Sequence, residues 1–317
     1  MKKIFFKLCK ILISGILSIT ILSAVCLAYS YNMLGIPTPT GASGYSCVPG
    51  SLKSKMDEGF GWNVMDANGY NNETAYDKVD VLIMGGSHIE ALQMSRSCSV
   101  TYKLDQLLPE YYVYNVGTSG HLTEMCANYL ENACEYFSPE YVIMDLNSLK
   151  LDESTMNSVV AGTYPEPELL SQKSTIARIV RDYIPVFGKL ILQLQTWNSP
   201  KKQTDQKDDI SWQDDTAYMD TLERFFKYIG DVAKEHDTQL ILLYHPATYE
   251  VDDKGELVFE DETEEFNIFS DICKANDIVL VSSKDENIKM YQEKHVVPNG
   301  FSNTRLGSGH LNKYTKR

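Results

Sequence analysis

The sequence predicts an α/β fold, a three-layer αβα sandwich around a five-stranded parallel sheet, and three observations carry that expectation. Five short apolar runs recur along the chain, at 79–84 (VDVLIM), 111–116 (YYVYNV), 141–146 (YVIMDL), 239–244 (QLILLY) and 277–282 (DIVLVS). They are continuous rather than alternating, which is the pattern of strands covered on both faces. Segments of helical period separate them, and glycines or polar residues follow where a parallel strand would end.

The first element lies outside that repeat. The chain opens on MKKIFFKLCK, with four lysines, and residues 11–29 then form 19 positions without a charge. At ~1.5 Å per residue such a stretch matches a bilayer core of ~30 Å. Positive charge before it and none after predicts a single pass through the cell membrane, N-terminus cytoplasmic and the main domain extracytoplasmic. A signal-peptide core is usually only ~7–15 residues, so the length favours an uncleaved anchor. Residues 1–33 are therefore read as a cytoplasmic stub and transmembrane anchor. Residues 34–76 are read as a linker and N-terminal extension, since 34–50 are rich in Gly, Pro, Ser and Thr, and 77–317 as one α/β domain.

Within that domain, 122–137 sets Leu122, Met125, Cys126, Tyr129, Leu130, Ala133 and Phe137 on one helical stripe. Residues 216–235 do the same with Met219, Leu222, Phe226, Ile229 and Val232, and 262–275 give a shorter third helix. Between the third and fourth strands an insertion at about 150–215 has one apolar run, 184–194, and a length that suits a lid or substrate platform.

Charge narrows the partners. Setting aside the four N-terminal lysines leaves 25 of the 29 basic residues against 43 acidic ones, a net charge of about −18 for the outer part. Such a body repels nucleic acid. Five cysteines follow the apolar stretch (Cys47, Cys98, Cys126, Cys134, Cys273), an odd number with no zinc spacing. The histidines are scattered with no carboxylate at ligand spacing, so no metal and no cofactor is expected.

Ligands of open parallel sheets gather at the carboxyl ends of the strands. The first run ends in Gly85-Gly86-Ser87-His88, a turn able to present a serine at the top of the sheet, and the second in Asn115-Val116-Gly117, where a glycine lets backbone approach a ligand. The third ends in Asp145-Leu146-Asn147, with a side-chain amide, and after the fifth comes Gly307-Ser308-Gly309-His310-Leu311-Asn312. His88, His121 and His245 also stand at strand ends, as possible pocket residues.

This ordered set, over residues 80–312, resembles the SGNH (GDSL-like) hydrolases, whose four blocks carry Ser, Gly, Asn and His in succession. The resemblance implies an SGNH/flavodoxin-like sandwich and serine acyl-ester chemistry. Ser87 would be the nucleophile and His310 the general base. The Ser87 and Gly117 N–H groups and the Asn147 amide would form the oxyanion hole. Two positions depart from the pattern. Gly86 replaces the usual aspartate of Gly-Asp-Ser, and Gly307 stands where the acid three residues before the histidine belongs. A backbone carbonyl of the Gly307 loop, or an acid from elsewhere such as Asp285, is the expected substitute. Placement outside the membrane suggests an ester of a surface polysaccharide or glycan as substrate and envelope polysaccharide machinery as partner, with esterase and O-acyltransferase both open. The rival reading is a catalytically degenerate domain that binds carbohydrate or scaffolds an envelope complex, suggested by Gly307.

Overall fold

The computed structural model describes residues 2–29, 36–37, 40–55, 58–165, 215–246, 249–259, 262–304, 307 and 309–314. Helix α1 (Lys2–Tyr29) contains one span, Lys2–Val25, long and apolar enough to cross a membrane, with a mean hydropathy of 2.2 and none of its most apolar stretch buried. It fits a single-pass anchor or a signal sequence.

The extension is folded. Two small antiparallel ribbons, β1 (Ile36–Pro37) with β2 (Tyr45–Ser46) and β3 (Leu52–Lys55) with β4 (Gly61–Val64), precede the sandwich. Ala42 and Tyr70 are buried in the main apolar core, so the packed body includes residues that composition alone assigns to a tether. β3 and β4 pair Lys55 with Gly61, which puts Glu58, Gly59 and Phe60 at the tip of a hairpin.

The main sheet consists of β5 (Val81–Met84), β6 (Val113–Asn115), β7 (Tyr141–Leu146), β8 (Gln239–Tyr244) and, after a ribbon of β9 (Tyr249–Val251) and β10 (Leu257–Phe259), β11 (Val279–Ser282). All its pairs are parallel and the spatial order is β11-β8-β7-β5-β6. Counted along the chain that is the doubly wound order 2-1-3-4-5, whose direction of growth reverses at β5. The five apolar runs are these five strands, β7 and β8 over their whole length and β5, β6 and β11 shortened by two or three residues where they run into loops.

Helices α2 (Ser87–Glu90), α3 (Val100–Leu107), α4 (Thr123–Ala127), α5 (Leu130–Phe137), α6 (Glu153–Val160), α7 (Thr216–Glu235), α8 (Thr263–Ala275) and α9 (Lys284–Lys294) complete the described chain. The stripe at 122–137 is split into α4 and α5 because the turn tightens at Tyr129, whose N–H donates three residues back to the Cys126 carbonyl. α7 begins where Asp215 caps it, its carboxylate accepting from the N–H groups of Ala217 and Tyr218. The apolar run at 184–194 lies outside the described residues.

Strand side chains alternate between two unequal cores. Leu82, Met84, Tyr114, Val142, Met144, Leu240 and Leu242 face Phe137, Phe225, Phe226, Ile229 and Phe269 in the large one. Val81, Ile83 and Val113 face Ile89, Val100 and Leu104 in the small one. On that second face the cover thins toward the edge, where Val279 and Val281 are 43% and 44% exposed among the described residues. Continuous apolarity thus overstates the burial of β11. Phe226 is fully buried, edge-on to Phe225 and Phe269. Phe226→Ala is expected to cost about 3–5 kcal/mol, read as a lower urea midpoint at unchanged slope. A loss under about 1 kcal/mol would contradict this packing.

Candidate active site

The turn after β5 is built by close approach. A Cβ on Gly85 would lie 2.4 Å from Ile89 Cγ1 and 2.6 Å from Asp145 Cβ, and one on Gly86 would lie 2.5 Å from the His121 carbonyl oxygen. That oxygen is the physical reason a larger residue is absent at 86. The chain turns at once into α2, whose first residue is Ser87 and which ends on Ala91 in the left-handed region, φ 56°.

Neighbouring segments hold the turn with buried amides. Asn115 Nδ2 donates to the Ile89 carbonyl at 2.8 Å and Asn71 Nδ2 to the Glu90 carbonyl at 2.8 Å. The Glu90 carboxylate accepts from the Ser119 N–H at 3.0 Å and from the Ser119 hydroxyl, and Cys47 Sγ lies 3.9 Å away. Burial pushes the Glu90 carboxyl above the usual range, while those bonds and the charge of Lys53, itself buried, pull the other way. The loop after β6 is thereby fastened to α2.

The histidine loop is closed by its own backbone. Asn299 and Leu311 form an antiparallel bridge, and the Gly300 N–H donates to the His310 carbonyl at 3.0 Å. His310 is delivered to the end of β5, with Nε2 2.7 Å from Ser87 Oγ. On its far side, His310 Nδ1 lies 2.6 Å from Glu58 Oε2, and the His310 backbone N–H donates to Glu58 Oε1 at 2.7 Å. One carboxylate therefore grips both the ring and the main chain of the same residue. The Glu58 and His310 side chains are 18% and 24% exposed, sheltered yet open to a ligand.

Glu58 comes from the β3–β4 hairpin tip, and that tip is pinned from two sides. Gly59 exchanges two hydrogen bonds with the Asn303 side chain, at 2.9 and 3.1 Å, and the Phe60 N–H donates to the Gln93 carbonyl at 2.9 Å. Gly309, at φ +84°, completes the fit, since a Cβ there would lie 2.3 Å from Glu58 Oε1.

The acid does come from elsewhere in the chain, but it is Glu58, and neither the Gly307 loop nor Asp285. Gly307, at φ +83°, is a turn residue whose N–H donates to the Asn299 carbonyl at 3.0 Å, and Asp285 stands exposed on α9. Glu58 was not legible beforehand because it precedes the serine and belongs to the extension; its only local mark is the Glu-Gly-Phe-Gly turn. The expectation for Gly117 also changes. Its N–H donates to Asn115 Oδ1 at 2.7 Å, so in this structure it is not aimed at a reacting oxygen. Glycine is required there because a Cβ would meet the Glu90 nitrogen at 2.6 Å. Asn147 stands half-buried just after β7, the strand paired with β5.

The other histidines separate. His88 and His245 meet, Nδ1 to Nε2, at 3.1 Å, and the His88 ring stands edge-on to His310, centroids 5.2 Å apart. His121 lies instead against Tyr45 and stacks on Tyr129. A cavity of about 570 Å³ lined by Phe60, Met94, Val297, Phe301 and Tyr314 lies behind the histidine loop, and none of Ser87, His310 and Glu58 lines it.

No family profile matches the chain, and no curated protein is similar to it. Among solved structures it is similar to TesA (12% identity over 75% of this chain and 91% of that one, TM-score 0.38). It is also similar to a GDSL-like lipase from Bacteroides thetaiotaomicron (12% identity, 74% and 81%, TM-score 0.31). A third is an alpha/beta hydrolase enzyme from the metagenome of Lake Arreo, Spain (14% identity, 76% and 91%, TM-score 0.38). The chemistry is read from the side chains above.

His121 gives a pH prediction. Loss of solvent around its ring pushes its pKa down to about 4. The unfolded chain therefore binds a proton that the folded chain refuses, and stability present above the unfolded value of about 6.5 falls as pH drops toward 4. His121→Phe is expected to flatten the fall in melting temperature over that window, recovering on the order of 2 kcal/mol. An unchanged profile would show that the ring takes up its proton as freely folded as unfolded.

Proposed function

We propose that this protein is a membrane-anchored, extracytoplasmic serine acyl esterase or O-acyltransferase of the SGNH kind. Its substrate in this reading is an ester of a cell-surface glycan, and its partners belong to the envelope polysaccharide machinery. The observation that carries the chemistry is the 2.7 Å approach of His310 Nε2 to Ser87 Oγ with a carboxylate on the opposite ring nitrogen. That is the constellation of a hydroxyl nucleophile, its base and the base's orienting acid, recognised by geometry and not by chain order. The same carboxylate removes the motive for a degenerate binding domain, which was the missing acid.

In the forward step, Ser87 Oγ attacks the ester carbonyl carbon while its proton passes to His310 Nε2. Glu58 holds Nδ1–H, keeps Nε2 as the acceptor and stabilises the imidazolium. Collapse of the tetrahedral oxyanion breaks the C–O bond, and the leaving alcohol takes the proton back from Nε2. The acyl-serine is then cleaved by water, releasing an acid, or by a sugar hydroxyl, forming a new ester. With the Gly117 N–H engaged by Asn115, the donors assigned to the oxyanion are the Ser87 N–H and the Asn147 amide. Placement outside the cell rests on the charge asymmetry around the uncharged stretch 11–29, with four lysines before it and no lysine or arginine in residues 30–52 that follow.

Two experiments test this reading. A fluorophosphonate probe is expected to label the purified protein and to lose that label in Ser87→Ala; an unlabelled wild-type protein removes the serine-nucleophile proposal. Glu58→Gln preserves shape but not charge and is expected to lower kcat on a model ester by about 10²- to 10⁴-fold with KM little changed. A variant within a factor of two of wild type would show that Glu58 does not serve the base.

A further inference from the structure

Beside the Ser87–His310 pair, three metal-ligating side chains converge from three different strand ends. His88 follows β5 in α2, Asp145 lies near the end of β7, and His245 follows β8. Their ligand atoms all lie within 4.8 Å of one another. His245 Nε2 is 3.1 Å from His88 Nδ1 and 2.8 Å from Asp145 Oδ1. Asp145 and His245 are 5% and 4% exposed, whereas His88 is partly open to solvent. The assigned ester chemistry uses none of the three.

One atom, His245 Nε2, stands close to both other ligand atoms, so a single cation placed among the three would be shared by all of them. Bonds of ~2.0–2.2 Å in a tetrahedron require ligand separations of ~3.3 Å, so the two short approaches lie within about 0.5 Å of that edge.

We propose that His88, Asp145 and His245 form a binding site for one zinc-class divalent cation. Two imidazoles and one carboxylate suit zinc and its neighbours; calcium and magnesium prefer shells of oxygen alone. Three protein ligands are the count of a site that keeps a fourth position open. Because Asp145 and His245 are buried, that position lies on the open side with His88, where the His310 ring stands 5.2 Å away. The ion would fix the His88 ring and, through the adjacent backbone, the turn that presents Ser87. Its open position would take water or an oxygen of the ligand.

The test uses the full chain in detergent, stripped with a chelator, dialysed and titrated with Zn²⁺ against a chromophoric competitor; Co²⁺ serves as a spectroscopic substitute. Wild type and Ser87→Ala are each expected to bind one equivalent, and the cobalt protein to show tetrahedral d–d bands without the charge-transfer band that a cysteine ligand would add. His88→Ala and Asp145→Asn are expected to weaken zinc at least 10-fold while keeping the wild-type circular dichroism spectrum. His88 is the cleaner of the two, because its side chain is not fully buried. Less than half an equivalent in wild type, a thiolate band, or unchanged affinity in His88→Ala overturns the site. Binding retained in Ser87→Ala keeps this result separate from the fate of the serine reading.

Discussion

A single carboxylate, that of Glu58, ties the candidate site together. It accepts from the backbone of His310 through one oxygen and meets the imidazole through the other, so it sets both the path of the histidine loop and the plane of the ring. Charge-assisted contacts of this kind are short and directional, and they lose much of their value if the partner moves by an ångström. The surrounding chain is shaped to prevent that movement. Gly309 leaves room for the carboxylate, Asn303 holds the hairpin tip by two bonds, and Gly59 and Gly61 let the hairpin press onto the backbone of residues 92–94.

The serine end of the site obeys a different constraint, which is space. The turn after β5 is so closely surrounded that three glycines, Gly85, Gly86 and Gly117, each face an atom within 2.6 Å of where a Cβ would stand. What the packing excludes in bulk is replaced by buried amides and the Glu90 carboxylate, which hold α2 against the loop after β6. The serine is thus positioned by rigidity, and the histidine by an electrostatic grip.

Sheet order explains why so many functional groups collect in one place. The growth direction reverses at β5, and β7 and β8 follow on the side away from β6. The carboxyl ends of β5, β7 and β8 therefore open side by side, where α/β sheets hold their ligands. Ser87, His88, Asp145, Asn147 and His245 all stem from those three ends. Two constellations, one proposed to act through a hydroxyl and one proposed to hold a cation, share the same rim because the fold offers one rim.

Sequence by itself determined the elements whose formation is local. Continuous apolar runs located all five strands of the main sheet, the 3.6-residue stripe placed α7 at its observed bounds, and an uncharged stretch marked α1. The glycine-flanked Ser87 and His310 were legible because tight turns demand particular residues wherever they occur. What tertiary structure alone decided was which distant groups meet. Glu58 reaches His310 across 252 positions of sequence, and Asp145 meets His245, which in turn meets His88. The Gly117 N–H turns to Asn115 instead of a ligand. Local propensity depends on the few residues around a position, but an electrostatic partner is chosen by distance in space, and that distance exists only after the sheet has brought the strand ends together.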